Sequence, residues 1–177
     1  FIIPGYTLTR VVELETDAWA GFGTVYYDIN DKLSVEAGVR YSYEEKELPD
    51  GYRDSTNMPG PFPPTTFIEW DDNWDDVTWK GGVNYRPTNE ALLFATVSTG
   101  FKSGTVNTGN PLASLTVDPE YLTSYEIGIK SDWFGNRLRA NGTVFYYDYT
   151  DLQVNVLIPP VSIIRNAAKA TVKGAEL

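Results

Sequence analysis

Residues 120–154 read EYLTSYEIGIKSDWFGNRLRANGTVFYYDYTDLQV, and their pattern is the strongest indication of the fold of the chain. Side chains with a common environment recur at every second position. In the first half, Tyr121, Thr123, Tyr125, Ile127 and Ile129 oppose Glu120, Ser124, Glu126, Gly128 and Lys130; in the second, Leu138, Ala140, Val144 and Tyr146 oppose Arg137, Arg139, Asn141 and Thr143. Leu122 and Phe145 break the alternation. A period of two predicts β-strands. The intervening Phe134-Gly135-Asn136-Arg137 predicts a tight turn, because Gly and Asn tolerate positive φ.

The predicted strands are unusually long. Strands of soluble proteins mostly run about 5–6 residues, whereas these carry the alternation near the roughly 9–11 residues that a tilted strand needs to cross a bilayer. One face is uncharged and the other is charged. Such a strand suits a wall between lipid and water.

The same pattern recurs along the chain and predicts about seven or eight strands. It is clearest over residues 32–44, where Leu33, Val35, Ala37, Val39, Tyr41 and Tyr43 share one face. It returns at 74–86, at 90–102, where Leu92 and Phe94 blur the faces, and at 166–177. Residues 5–15 and 16–29 have a weaker pattern, and no turn signal separates them, so they are predicted to be one strand or two.

The connections alternate in length. Short turns are predicted at 30–31, 87–89 and 134–136, and longer loops at 45–73, 104–119 and 157–165; proline at positions 49, 59, 61, 63 and 64 argues against a central strand in the first of these loops. Short turns on one edge and long loops on the other are typical of outer-membrane barrels. Aromatic residues near the short turns would suit an interfacial girdle: Tyr26, Tyr27, Tyr85, Trp133 and Phe134.

Composition narrows the function classes. The 177 residues carry a net charge of -10, which argues against nucleic-acid binding, and contain no Cys and no His. The commonest general base and the commonest transition-metal ligand are therefore missing. We expect a protein that is not an enzyme, with no catalytic residues, no metal site and no cofactor. Because all backbone groups in hydrocarbon must be paired, only helices and closed sheets can span a bilayer. The period of two favours strands, so the fold class predicted is all-β, an antiparallel transmembrane barrel.

Several segments resemble the barrel of TonB-dependent outer-membrane receptors. The resemblance rests on motifs in order: Ser98-Thr99-Gly100-Phe101-Lys102-Ser103-Gly104, Pro119-Glu120, Ser124 to Ser131, Phe145 to Tyr149, Asp151-Leu152-Gln153-Val154, Asn166-Ala167-Ala168 and Lys173 to Leu177. Ala37-Gly38-Val39-Arg40-Tyr41 is similar to a recurrent strand that precedes a long loop in the family. Residues from about 16 onward take part in the resemblance.

The resemblance implies a bacterial outer-membrane location and a barrel of about 22 strands with a plugged lumen. It implies uptake of a scarce solute, most often a ferric siderophore, energised by the TonB complex. These 177 residues contain no recognisable plug domain or TonB box. We therefore expect residues 1–177 to be part of the barrel domain, in contact with outer-membrane lipid, a small-molecule iron chelate and, through missing N-terminal regions, TonB.

Candidate ligand-binding residues lie in or beside the longest loop. Aromatic rings with an arginine can hold a catecholate or a sugar by stacking and cation–π contact; the candidates are Tyr52, Arg53, Phe67, Trp70 and Trp74, with Phe62 between them. Interface anchoring or loop packing is the alternative role. Asp71, Asp72, Asp75 and Asp76 are predicted to be a solvated acidic patch rather than a Ca²⁺ site, because their spacing fits no EF-hand.

Charged residues that alternate inward are expected to form cross-strand pairs or to line the lumen: Glu36, Arg40, Lys80, Arg86, Glu126, Lys130, Arg137 and Arg139. Two other functions remain open at this point. One is a passive porin or adhesion barrel, and the other is a soluble β-sandwich that binds carbohydrate through its aromatic residues.

Overall fold

The computed structural model describes residues 9–54, 65–108, 116–158, 161–166 and 169–177. Twelve strands are found in this part of the chain: β1 Thr9–Val11, β2 Glu15–Asn30, β3 Leu33–Asp54, β4 Thr65–Thr88, β5 Ala91–Lys102, β6 Thr105–Val106, β7 Thr116–Val117, β8 Glu120–Trp133, β9 Leu138–Thr150, β10 Gln153–Ile158, β11 Val161–Asn166 and β12 Lys169–Glu176. Among the described residues, no helix has the length and hydropathy needed to cross a bilayer.

Eight of these strands form one antiparallel sheet in the order β1-β3-β4-β5-β8-β9-β12, with β2 also paired to β3. β1 pairs with the far end of β3, at residues 52–54, and β2 pairs with residues 33–47 of the same strand. The two pieces therefore follow one another along one edge of β3 and form a single interrupted edge. The remaining strands form two small hairpins, β6–β7 and β10–β11.

The two faces of the sheet match the predicted alternation. The outer face carries apolar side chains that no part of the sheet covers; Val25 is 70% exposed, Ile127 63% and Val144 54%. On β3 this apolar stretch runs from Leu33 to Tyr43. At about 3.3 Å per residue and a tilt of about 40° it is about 25 Å tall, which is the height of the apolar band of outer-membrane barrels.

Three of the residues that break the alternation lie opposite a glycine on a neighbouring strand, whereas Leu92 lies opposite Lys130. Phe94 pairs with Gly128, Leu122 with Gly100 and Phe145 with Gly174. A Cβ added at Gly128 would lie 2.5 Å from the Phe94 ring, and one at Gly174 would lie 2.8 Å from the Phe145 ring. The inner face thus accepts a large apolar side chain where the facing glycine leaves room for it.

The short turns lie where the sequence predicts them. Phe134, Gly135 and Asn136 have φ values of 55°, 66° and 66°, and the turn closes with a bond from Arg137 N to Trp133 O of 3.1 Å. In the first turn, the Asn30 side-chain oxygen accepts hydrogen bonds from the backbone N–H groups of Lys32 and Leu33. These turns form the edge opposite the longer connections.

Three expectations are wrong. The predicted loop at 157–165 is mostly part of a hairpin, because β10 continues to Ile158 and β11 begins at Val161. Residues 45–73 are not mainly a loop, because β3 continues to Asp54 and β4 begins at Thr65, with a register shift between Leu48 and Gly51 that accommodates Pro49. The other four prolines lie outside the described residues. Tyr26 does not belong to the lipid-facing girdle with Tyr27, because neighbouring residues of a strand face opposite ways. Tyr26 lies on the inner face, where the centroid of its ring is 5.7 Å from Lys80 Nζ.

Candidate functional site at the inner face

Beyond the apolar band, a short segment folds inward over β3 and β4. We call this segment, residues 103–108 with β7, the strap. Its Val106 packs against Leu48 and Ile68, which are 0% and 5% exposed, and Trp70 packs against the same cluster. The strap is therefore held to the inner face by a small hydrophobic core.

Lys46 fastens the strap at its start. Its Nζ donates to Ser103 Oγ at 2.9 Å and to the Gly104 carbonyl at 2.8 Å, and lies 2.9 Å from Glu44 Oε1. Ser103 Oγ donates to the same carboxylate oxygen at 2.6 Å. Since an ammonium has three donors, the Lys46 donors are fully used within this group.

The Glu44 carboxylate lies just beyond Tyr43, outside the apolar band. Partial burial acts to raise its pKa, but hydrogen bonds from Ser103 and Lys46 and the charge of Lys46 outweigh burial, so the pKa of Glu44 lies below its ordinary value. A depressed pKa means that the folded arrangement favours the ionised form. The ionised carboxylate thus helps to hold the strap.

This arrangement predicts a pH-dependent strap. Because the pKa of Glu44 is lower in the folded state than in the unfolded state, its contribution to the closed strap is fully present above the unfolded pKa. That contribution is lost as the pH falls through the folded pKa. Amide hydrogen exchange of residues 105–108 in the full-length receptor should show an opening equilibrium that rises across that acidic window. Glu44→Gln should open more readily at neutral pH and lose the pH dependence; an unchanged pH profile in Glu44→Gln would contradict this role.

The motif residues at the strand ends form a second set of contacts beside the strap. Gln153 donates from Nε2 to the carbonyls of Ser103 and Asp118 and from its backbone N to Glu120 Oε2, at 2.9, 3.0 and 2.9 Å. Asn166 Nδ2 donates to the carbonyls of Asp118 and Asp151 at 2.9 and 2.8 Å. The motifs that carry the family resemblance therefore tie together the points where strands leave the wall.

Two of the five candidate ligand residues lie together under the strap. Trp70 and Trp74 are on the inner face with ring centroids 5.9 Å apart. Trp70 Nε1 donates to Thr116 Oγ1 at 3.0 Å, and Lys46 Nζ lies 5.7 Å from the Trp74 ring. Both rings are thus used to hold the strap, in addition to any contact with a solute.

The other candidates are placed apart from this pair. Tyr52 and Phe67 are direct cross-strand partners on the outer face, 37% and 81% exposed. Arg53 pairs through its backbone with Thr66, and Phe62 lies outside the described residues. The structure therefore divides the predicted aromatic group between the two faces of the wall.

The four aspartates are also divided. Strand alternation places Asp72 and Asp76 on the inner face with Trp74, and Asp71 and Asp75 on the outer face. In the part of the chain that the structure describes, no group of three or more Asp, Glu, His or Cys side chains is arranged to hold a metal ion.

Cross-strand pairing is the role that the structure assigns to several inward charges. Lys80 Nζ and Glu36 Oε2 are 3.2 Å apart, and Arg139 Nε and Asp132 Oδ1 are 2.8 Å apart. Glu126 accepts a 2.8 Å hydrogen bond from the Tyr147 hydroxyl. Sequence reasoning missed the Lys46 and Gln153 contacts, although the position of Gln153 in a motif at a strand end was an available signal.

A family model described as "TonB dependent receptor-like, beta-barrel" matches residues 3–177. The chain belongs to this family. A curated relative, the "Probable TonB-dependent siderophore receptor PiuA" of Acinetobacter baumannii, is 28% identical over 116 residues, which cover 59% of this chain and 15% of the relative. The chain therefore spans a small part of the length of that receptor.

Solved structures of the family share the fold. The ferric yersiniabactin uptake receptor FyuA from Yersinia pestis matches with a TM-score of 0.78 and 18% identity, over 95% of this chain and 24% of that one. The ferric-catecholate import receptor Fiu from E. coli K12 in its closed form matches with a TM-score of 0.68 and 16% identity, over 93% and 25%. The siderophore receptor PiuA from A. baumannii matches with a TM-score of 0.58 and 22% identity, over 90% and 23%.

These matches confirm the predicted fold class and location. The sheet is an open segment of a larger antiparallel barrel wall, about a quarter of the length of the solved receptors. TonB-dependent receptors are outer-membrane β-barrels, and this chain is accordingly an outer-membrane protein. The family is one of transport receptors rather than of enzymes.

Proposed function

We propose that this chain is part of the barrel wall of a receptor that takes up a ferric siderophore across the outer membrane, energised through TonB. The observation that carries the proposal is the family match over residues 3–177, in a family whose similar members are described as siderophore receptors. The geometry supports it, because the strap and its aromatic pair lie on the inner face, where a solute would pass.

In this proposal residues 1–177 belong to the barrel domain, and the plug domain and TonB box belong to other parts of a longer protein. The wall supplies the membrane contact and one side of the lumen. Contact with TonB would be made by the plug side of the receptor. The wall residues that face the lumen would contact the solute directly.

Growth of a deletion strain tests the proposal. The strain, complemented with the full-length receptor, is grown under iron limitation on separate ferric chelates: tris-catecholates, hydroxycarboxylates and tris-hydroxamates. We expect growth on at least one chelate that depends on both the receptor and TonB. Receptor-dependent growth that persists without TonB would instead support a passive porin, and equal growth with and without the receptor would remove the siderophore function.

The same assay tests the candidate ligand residues. We propose that Trp70 and Trp74 contact the solute near the strap and that Arg53 also contributes to solute binding. Arg53→Ala should slow uptake of the chelate that supports growth, and so should Trp70→Ala. Because Trp70→Ala also removes the hydrogen bond to Thr116, hydrogen exchange of the strap is measured in this variant to distinguish loss of solute contact from opening of the strap. Tyr52→Ala and Phe67→Ala test the prediction of ligand contact on the outer face. Growth unchanged in all four variants would contradict the assignment.

A further inference from the structure

A recess of about 510 Å³ lies below the strap, between the inner face of β2–β3 and the end of β5. Its walls include Arg40 from β3, Lys102 from β5, and the Lys46–Glu44 pair, while Ala18 and Ala20 of β2 leave the space open because their side chains are small. It is distinct from the Trp70–Trp74 pair, which does not line it.

The charges in the recess are unbalanced. It holds three cationic side chains and one carboxylate, and that carboxylate, Glu44, is bound to Lys46 at 2.9 Å. Arg40 and Lys102 are left as the usable cations. In a chain with a net charge of -10, this is a local positive region on the lumenal wall.

Arg40 is held in position without a carboxylate partner. Its Nε donates to Ser42 Oγ at 3.0 Å, and its guanidinium carbon lies 5.7 Å from the centre of the Phe22 ring. Among the described residues no carboxylate lies within 4.0 Å of Arg40, whereas Lys80 and Arg139 on the same inner wall each have one. In the part of the chain that the structure describes, Arg40 donates a hydrogen bond only through Nε, so its two terminal nitrogens can donate to an outside acceptor.

Lys102 is the mobile counterpart. Its side chain is 62% exposed and its Nζ is 4.0 Å from Glu120 Oε2, at the limit of an ion pair. Such an exposed ion pair contributes little free energy to stability, so the Lys102 ammonium can leave Glu120 and turn toward the recess with little loss of stability. A planar guanidinium fork and a flexible ammonium that line the same recess suit a planar anionic group with two oxygens.

Resting on the proposed uptake function, we propose that this recess binds an anionic oxygen group of the transported chelate, a carboxylate or an ionised catecholate, through Arg40 and Lys102. The receptor would then select chelates that carry net negative charge over uncharged ones. Arg40 supplies direction and Lys102 adds charge.

Binding to the purified full-length receptor tests the recess, with an anionic ferric tris-catecholate, an anionic ferric hydroxycarboxylate and an uncharged ferric tris-hydroxamate as probes. We expect the wild type to bind an anionic probe more tightly than the uncharged one. Arg40→Gln should raise the Kd for that anionic probe about tenfold, Lys102→Gln should raise it less, and both should leave the uncharged probe unaffected. Arg40→Lys, which keeps the charge without the fork, should fall between.

Arg139→Gln is the matched control, since it removes an inner-wall arginine that is paired with Asp132 and does not line the recess. It should bind all probes as the wild type does. Each variant is first shown to be folded by its heat-modifiable migration on a gel. If Arg40→Gln does not fold, binding of the anionic probe to Arg40→Lys and Lys102→Gln tests the proposal instead.

Four results would overturn the proposal that the recess binds an anionic group. A wild type that prefers the tris-hydroxamate, or Arg40 and Lys102 variants that bind the anionic probe normally, would contradict anion recognition while TonB-dependent growth still stands. Equal weakening of charged and uncharged probes would assign Arg40 to the architecture of the lumen, including contact with the plug. Absence of TonB-dependent growth on every chelate would instead remove the uptake function, and this proposal with it.

Discussion

Replacing Ala37 with arginine in the full-length receptor is expected to destabilise the folded barrel in lipid vesicles by about 2–4 kcal/mol. Ala37 lies near the middle of the apolar stretch of β3, where it pairs with Val25 on one side and Gly81 on the other. An arginine there would have to place its guanidinium in hydrocarbon or bend toward the interface. The midpoint of urea unfolding measures the loss.

Thr96→Arg is the matched control for this substitution. Thr96 lies on the inner face, where its register partner on β8 is Glu126. An arginine at this position meets water and a carboxylate rather than lipid, so the stability should stay within about 0.5 kcal/mol of wild type. Similar losses for Ala37→Arg and Thr96→Arg would contradict the division of the wall into a lipid face and a lumenal face.

Gly104→Ala is expected to weaken closure of the strap by about 1–3 kcal/mol, the usual range for overpacking. A Cβ at Gly104 would overlap the Trp74 ring and the backbone carbonyl of Val117. The ring can turn only by giving up its place beneath the strap, and the carbonyl belongs to β7. The strap must therefore move away from β4.

Hydrogen exchange of residues 105–108 measures this effect, with Gly100→Ala as the control. A Cβ at Gly100 would lie 3.6 Å from Leu122 Cβ, an ordinary contact. We expect faster exchange of the strap in Gly104→Ala and unchanged exchange in Gly100→Ala. Equal protection in the two variants would mean that Gly104 is not required by close packing.

The wall was predictable from sequence because strand alternation is a local property. Each residue from Leu33 to Tyr43 carries its face in the sequence, and lipid on one side makes the contrast strong. The glycine-paired exceptions at Phe94, Leu122 and Phe145 were not predictable in the same way. Their explanation depends on cross-strand register, which a single strand does not contain.

The extension of β3 and β4 beyond the membrane was missed for a physical reason. Above Tyr43 both faces are in water, so Glu45 and Glu47 alternate with Lys46 without an apolar contrast. Such a segment has the composition of a loop although its backbone is paired in a ladder. Pro49 strengthened the wrong prediction, because the register shift beside it was not visible in sequence.

The contacts that build the site join residues far apart in the chain. Lys46 reaches Ser103 across 57 positions, and Gln153 reaches the Ser103 carbonyl across 50. The family resemblance indicated that the motif residues matter but not what they touch. The five candidate ligand residues lie close together in sequence, but the register of β3 with β4 separates Tyr52 and Phe67 from Trp70 and Trp74.

Depth-dependent fluorescence quenching across β3 measures which residues of the wall face lipid. Single cysteines, a residue absent from this chain, are placed at positions 34 to 39 of the full-length receptor, labelled with a fluorophore and reconstituted in bilayers of brominated lipid. We predict strong quenching at positions 35, 37 and 39 and weak quenching at 34, 36 and 38. Uniform quenching at all six positions, or quenching with the opposite alternation, would contradict the assignment of Val35, Ala37 and Val39 to a lipid-facing surface.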